Sequence, residues 1–189
     1  MTVKLSHFAL ALISITLAQS SFAETALPKP LLSFIDAETK LRDFKSADLN
    51  GDGLNDFLLV LEHKDGMRTL KIITAQPDGK WQFEKSSDVA VYCKECGGAF
   101  GDPYESINAK TKSFTIRHLG GSASRWSVAT TFNYSKRDST WQLVKVEESE
   151  FETSQPNKVT RRIYIPPKHF GKIDFADFDP EDFQGRGEK

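Results

Sequence analysis

Phe57-Leu58-Leu59-Val60-Leu61, Thr69-Leu70-Lys71-Ile72-Ile73-Thr74-Ala75 and Trp81-Gln82-Phe83-Glu84-Lys85 decide the fold of this chain. Each run has the length of a strand, and the gaps between them hold Asp65-Gly66 and Pro77-Asp78-Gly79. Glycine enters the positive-φ place of a tight turn without steric cost, and Asp supports the turn by accepting from its own backbone. Asp-Gly between apolar runs therefore predicts hairpins, and residues 57–85 read as a three-stranded antiparallel meander.

Working outward, Ser113 to His118 reads as a strand and Leu119-Gly120-Gly121-Ser122-Ala123 as a turn. Trp126 to Tyr134 and Thr140 to Glu147 form a further hairpin. Trp126, Val128, Thr130 and Phe132 alternate onto one face of it, and Trp141 and Leu143, with Lys145 as the next place, onto the facing strand. A last strand is expected at Val159 to Ile165, stopped by Pro166-Pro167. The expectation is an all-β or β-dominated domain, an antiparallel sheet or sandwich of about seven strands. Pro28 and Pro30 belong to an extended lead-in. Leu31, Phe34, Ile35 and Leu41 then recur with a weak helical period, so a short N-terminal helix is possible over Leu31 to Phe44, with a strand as the alternative. Residues 86–112 read as a long irregular region holding both cysteines, Gly97, Gly98, Gly101 and Asp102-Pro103.

Immediately before the meander stands Asp48-Leu49-Asn50-Gly51-Asp52-Gly53-Leu54-Asn55-Asp56. Oxygen-bearing side chains at alternate places of a glycine-rich turn suit a hard cation, calcium above all, with Asp48, Asn50, Asp52 and Asp56 as side-chain ligands and Leu54 offering its carbonyl. An ion-free turn capped by its own Asp and Asn side chains is the alternative. The first nine places match an EF-hand loop, but the twelfth is Leu59 rather than a bidentate Glu, and a strand follows where a helix should leave. The loop resembles instead the calcium loops of FG-GAP and VCBS-type repeats, in which such a turn leads straight into an apolar strand. That resemblance implies a structural ion. A single copy is present, so it does not imply a propeller. A wider stretch adds Cys93-Lys94-Glu95-Cys96-Gly97-Gly98-Ala99-Phe100-Gly101-Asp102-Pro103 and Gly120-Gly121-Ser122 with Arg125-Trp126. It resembles a family of exported bacterial proteins, and the resemblance implies no activity.

Lys4, the apolar run from Phe8 to Leu17 and the small residues of Ser21-Phe22-Ala23 read as a secretory signal peptide over residues 1–23. The apolar run is too short to span a bilayer. Export to a periplasm, or secretion, is expected, with a β-rich domain over 24–167 and an acidic, aromatic arm over 168–189. Phe170, Phe175, Phe178 and Phe183 of that arm either pack on the body and cover an edge strand or anchor a partner. Removing residues 1–23 takes away Lys4 and no acid, leaving 24 basic against 26 acidic residues, a net charge of −2. Such a balance gives no electrostatic case for nucleic acid or for an anionic membrane, and no later segment is apolar enough for membrane insertion. In an oxidising compartment Cys93 and Cys96 are expected to form a structural disulfide. Gly97-Gly98 after them is poor helix sequence for a thioredoxin-like pair, and the spacing of His63, His118 and His169 supports no zinc site.

Two functions stay open. One is an exported domain that binds another macromolecule, an unknown protein or envelope component, through the 86–112 region near Gly120-Gly121. The other is an envelope-polymer hydrolase or lyase using His118 and a nearby carboxylate, Asp102 or Glu105. Arg117, Ser122, Ser124 and Arg125 complete the polar cluster around these, and Gly120-Gly121 could present amides to an oxyanion. No nucleophile elbow, zinc-helix motif or phosphate loop accompanies them, so no catalytic residue is assigned and the reading leans away from an enzyme.

Overall fold

Nine strands pair in sequence order into two antiparallel sheets. The structure, a computed structural model, describes residues 26–180. The first sheet holds β1 (Thr39–Ala47), β2 (Asp56–His63), β3 (Arg68–Ala75) and β4 (Trp81–Ser87). The second holds β5 (Tyr104–Lys110), β6 (Ser113–Gly121), β7 (Ser124–Ser135), β8 (Thr140–Glu152) and β9 (Thr160–Tyr164). The two Asp-Gly turns form as the sequence predicts. Gly66 and Gly79 take φ of 84° and 80°, while Asp65 and Asp78 accept from the amides of Met67 and Lys80.

The sheets pack face to face. Leu58, Val60, Leu70 and Ile72 of the first meet Ile107, Phe114, Ile116, Phe132, Leu143 and Val146 of the second in one core. The unbroken apolar run of β2 has a simple cause, because its other face is buried too. Phe57, Leu59, Leu61 and Ile73 lie under Leu31, Phe34 and Ile35, which belong to or follow a 3-10 helix at Lys29–Phe34. Burying such side chains is worth about 1.5–3 kcal/mol each and drives the two sheets together.

The sequence leaves β1 as the alternative to a helix and misses β5, and both strands are bulged. The N-terminal segment is a 3-10 helix followed by β1, and β5 lies inside the region read as irregular. In β1 the register slips between Leu41 and Asp43, so Arg42 is the extra residue and Leu41 and Phe44 both face the apolar cluster outside the sandwich. In β5 it slips between Tyr104 and Ser106, so Glu105 is extra and Tyr104 and Ile107 both face inward. A spacing of three hides a strand from a search for alternation. A further bulge, at Val144, corrects the expected face of β8. Trp141, Leu143 and Val146 are buried, and Lys145 is not on that face.

β1 and β5 lie against each other and close one side of the sandwich, where the Tyr104 hydroxyl donates to Asp43 at 2.9 Å. The segment after Pro167 closes the opposite side. Phe175 and Phe178 enter the common core, Phe170 packs against it, and Asp174 holds Lys85 of β4 and Thr140 of β8. The signal peptide expected at 1–23 and Phe183 lie outside the described residues.

Candidate binding cleft and acidic loop

The loop before β2 is built by its own side chains. Asp48 accepts from the amides of Gly51, Asp52 and Gly53 at 2.7, 3.1 and 3.1 Å. Asp52 accepts from the Leu54 amide and from Asn50 Nδ2 at 2.8 and 2.9 Å. Asp56 is fully buried, and its two oxygens accept from the amides of Leu49 at 2.8 Å and Ala75 at 3.0 Å. Burial pushes its carboxyl up to about 6, against the pull of those amides. Leu49 is inserted into the core, where its carbonyl accepts from Trp141 Nε1 at 2.9 Å, and Lys112 lies over Gly51. Among the described residues, no three Asp, Glu, His or Cys side chains gather as a metal cage. The donors are of the hard-oxygen kind that calcium takes, and an oxygen that accepts one amide keeps a second lone pair. Asp48 Oδ1 already accepts two amides and Oδ2 one, so Oδ2 is its oxygen with a lone pair to spare, and Asp56, fully buried and turned inward, is the least available of them.

At the other end of the first sheet, residues 88–103 form a loop tied down from several sides. Cys93 and Cys96 are disulfide-bonded across a turn. Lys94 N donates to Gly66 O, Gly121 N to Gly97 O, and Leu119 N to Pro103 O. The loop thus meets the Gly120-Gly121 end of β6, as the sequence suggested, and Arg125 stacks over Phe100 at 4.4 Å. The central tie is Arg68, which is fully buried on β3. Its guanidinium donates bidentately to Asp102 at 2.7 and 2.7 Å, to Glu62 at 2.8 Å and to the Tyr92 carbonyl at 3.1 Å. The bonds from Arg68 hold the Asp102 carboxyl down to about 2. For Glu62, burial raises the pKa, but the bonds from Lys40 and Arg68 outweigh it, and the carboxyl lies below its usual range. No feature of the sequence marks Arg68, which follows a turn and reads as an ordinary surface cation.

His118 stands behind this cluster. It is 1% exposed, its ring stacks on Tyr92 at 4.2 Å, and Nε2 accepts from the Tyr92 amide at 3.1 Å. Burial lowers its pKa to about 4, helped by the Arg68 charge. The remaining polar candidates do not converge on it. Glu105 and Arg117 are exposed, Ser122 and Ser124 sit at the tip of the β6–β7 hairpin, and Arg125 lies over Phe100. Asp102 alone is drawn inward, and it is engaged by Arg68.

β7 and β8 are the longest strands, and at one end their inner face has no strand of the first sheet opposite. A cleft of about 430 Å³ opens there. Trp126, Val128 and Thr130 of β7 form its floor with Val146, Glu148 and Glu150 of β8. Arg162 and Tyr164 of β9 form one side, and Tyr92, Phe178 and Pro180 the other. Trp126 lies flat on Gly120, where a Cβ would meet the indole at 2.3 Å, and its ring centroid is 5.8 Å from that of Tyr92. Glu148 accepts from the Tyr164 hydroxyl at 3.0 Å, and Glu150 pairs with Arg162 at 3.4 Å. The alternation of Trp126, Val128 and Thr130 was legible in the sequence. That this end of the face is open was not.

No family model matches the chain, and neither a curated protein nor a solved structure matches it. No helix among the described residues is long and apolar enough to cross a membrane.

Proposed function

We propose that this is an exported β-sandwich that binds another macromolecule, a protein or envelope component, in the cleft between Tyr92, Trp126 and Tyr164. The cleft itself carries the reading. It is of a size that holds ligand groups, and it joins aromatic surface to a few oriented polar groups. Its wall is also braced, since Tyr92 is fixed by His118 and by Arg68, and Trp126 by Gly120. Export rests on the reading of residues 1–23. The hydrolase or lyase alternative gains no support from His118, whose ring is enclosed and whose Nε2 already accepts from a backbone amide.

A photo-crosslinking residue at Glu150, which is exposed and lines the cleft, tests the reading in the exporting cell. Covalent products are expected from position 150 and not from Asp78, at the distant β3–β4 turn. Equal labelling from both positions, or none from position 150 in folded protein, refutes it.

Calcium at the acidic loop is proposed as a structural adjunct, held by Asp48, Asn50, Asp52 and the Leu54 carbonyl, with Asp56 fixing the base of the turn. For a site of about 10⁻⁴ to 10⁻³ M, about 10 mM calcium stabilises by about 1.4–2.7 kcal/mol. Melting in calcium and in chelator is expected to differ for the natural chain and to coincide for Asp52→Ala. Coincidence for both removes calcium from the account.

A further inference from the structure

Among the described residues that line the cleft, two carboxylates, Glu148 and Glu150, face one cation, Arg162. Arg162 pairs with Glu150, but among the described residues no Lys or Arg pairs with Glu148. The Glu148 carboxylate is half-buried, and the Tyr164 hydroxyl fixes one of its oxygens. Aromatic rings stand on both sides of it, with Trp126 and Tyr92 toward the disulfide loop and Tyr164 toward β9. An aromatic face attracts a cation through its quadrupole, and a partly desolvated carboxylate attracts one by charge. Two aromatic walls around one carboxylate that has no ion-pair partner among the described residues form a receptor for a cation on a slender apolar stem. Arginine and lysine side chains have that form, and a space of about 430 Å³ holds one of them with the backbone on either side.

We propose that the cleft takes a basic side chain of a partner polypeptide, its cation lying over Trp126 and Tyr92 and paired with Glu148. The inference rests on the cleft being the binding site and names the chemistry of its ligand. A neutral glycan would also use the aromatic faces, but it would leave the Glu148 charge unmatched. The observations therefore favour the cation.

The probes are the tripeptides Gly-Arg-Gly and Gly-citrulline-Gly, which differ in charge and hardly in shape, with a neutral chitin disaccharide as the glycan arm. Binding is followed by the NMR shift of the Trp126 indole N–H in the natural chain. Gly-Arg-Gly is expected to bind about tenfold or more tightly than its citrulline counterpart. Its affinity should fall as salt is raised from about 0.05 to about 0.5 M. Glu148→Gln, which keeps an acceptor for the Tyr164 hydroxyl, should remove the preference for arginine while leaving the melting temperature in place. Equal binding of the two peptides overturns the inference, as does a preference that survives Glu148→Gln. A Trp126 shift caused by the disaccharide alone overturns the cation and keeps the cleft as a binding site. Silence from every probe overturns the inference, while crosslinking from position 150 decides separately whether a macromolecule enters the cleft.

Discussion

Replacing Arg68 with Met should unfold this protein several degrees earlier, and the reason lies in what stays behind. Methionine fills most of the aliphatic volume but removes every donor of the guanidinium. Glu62 and Asp102 are then left facing an apolar space, together with the Tyr92 carbonyl. Breaking a buried ion pair from one side costs about 3–5 kcal/mol. Two facts place this site at the lower end. Glu62 keeps Lys40 at 2.8 Å, and the Asp102 side chain is 30% exposed and still reaches water. A loss of about 3 kcal/mol corresponds to a fall in Tm of about 6–12 °C for a domain of this size. Urea melts of four proteins separate charge from packing: the natural chain, Arg68→Met, the pair Glu62→Gln with Asp102→Asn, and all three changes together. Asn at 102 retains the oxygen that accepts from the Tyr104 amide. If stranded charge causes the loss, the triple variant recovers at least half of what Arg68→Met gives up. A loss under about 1 kcal/mol, or a triple variant as weak as the single one, refutes the reasoning.

His118 has a folded pKa of about 4 against an ordinary 6.5, so the unfolded chain takes up its proton first as pH falls. Stability from this residue is complete above pH 6.5 and is lost toward pH 4, on the order of 3 kcal/mol in all. The imidazole ¹⁵N shifts at pH 5 should be those of a neutral ring, and a protonated signature there contradicts the burial argument. Gly120→Ala drives a Cβ to 2.3 Å from the Trp126 indole. It should cost about 1–3 kcal/mol and change the Trp126 indole N–H shift, and an unchanged spectrum would mean that the indole does not rest on that glycine. Joint replacement of Cys93 and Cys96 by Ser opens a small ring and should lower stability by about 2 kcal/mol. Faster hydrogen exchange should be confined to residues near 92–101, and a global loss of protection would show the disulfide to be holding more than its loop.

The strands that the sequence announces are those with an unbroken or an alternating apolar pattern, and for β2, β3 and β4 the Asp-Gly turns between them. β2 and β3 qualify by pattern, β4 by its turn although Glu84 is bulged, and β6 and most of β7 and β8 by alternation. β1 stays undecided between helix and strand, and β5 escapes, because an extra residue, Arg42 in one and Glu105 in the other, turns a spacing of two into a spacing of three. The acidic loop could be located to the residue, yet its carboxylates serve two purposes that look alike in sequence, capping amides and holding ions. The cleft lay beyond reach for another reason. Its walls come from Tyr92, β7, β8, β9 and Phe178, which only strand register and the path of the C-terminal segment bring together. An alternating face looks the same in sequence whether a second sheet covers it or leaves it bare.

The overhang of β7 and β8 beyond the first sheet also separates what the fold needs from what the cleft uses. Interior positions such as Ile116, Phe132 and Leu143 are enclosed between two layers, so a change of volume there is felt at once. Glu148 and Glu150 stand where, among the described residues, no strand of the first sheet lies opposite, and replacing them removes fewer neighbours. Recognition can therefore be rewritten at that end by ordinary point mutation while the folding free energy stays nearly constant. Selection on partners and selection on stability act on different stretches of the same two strands.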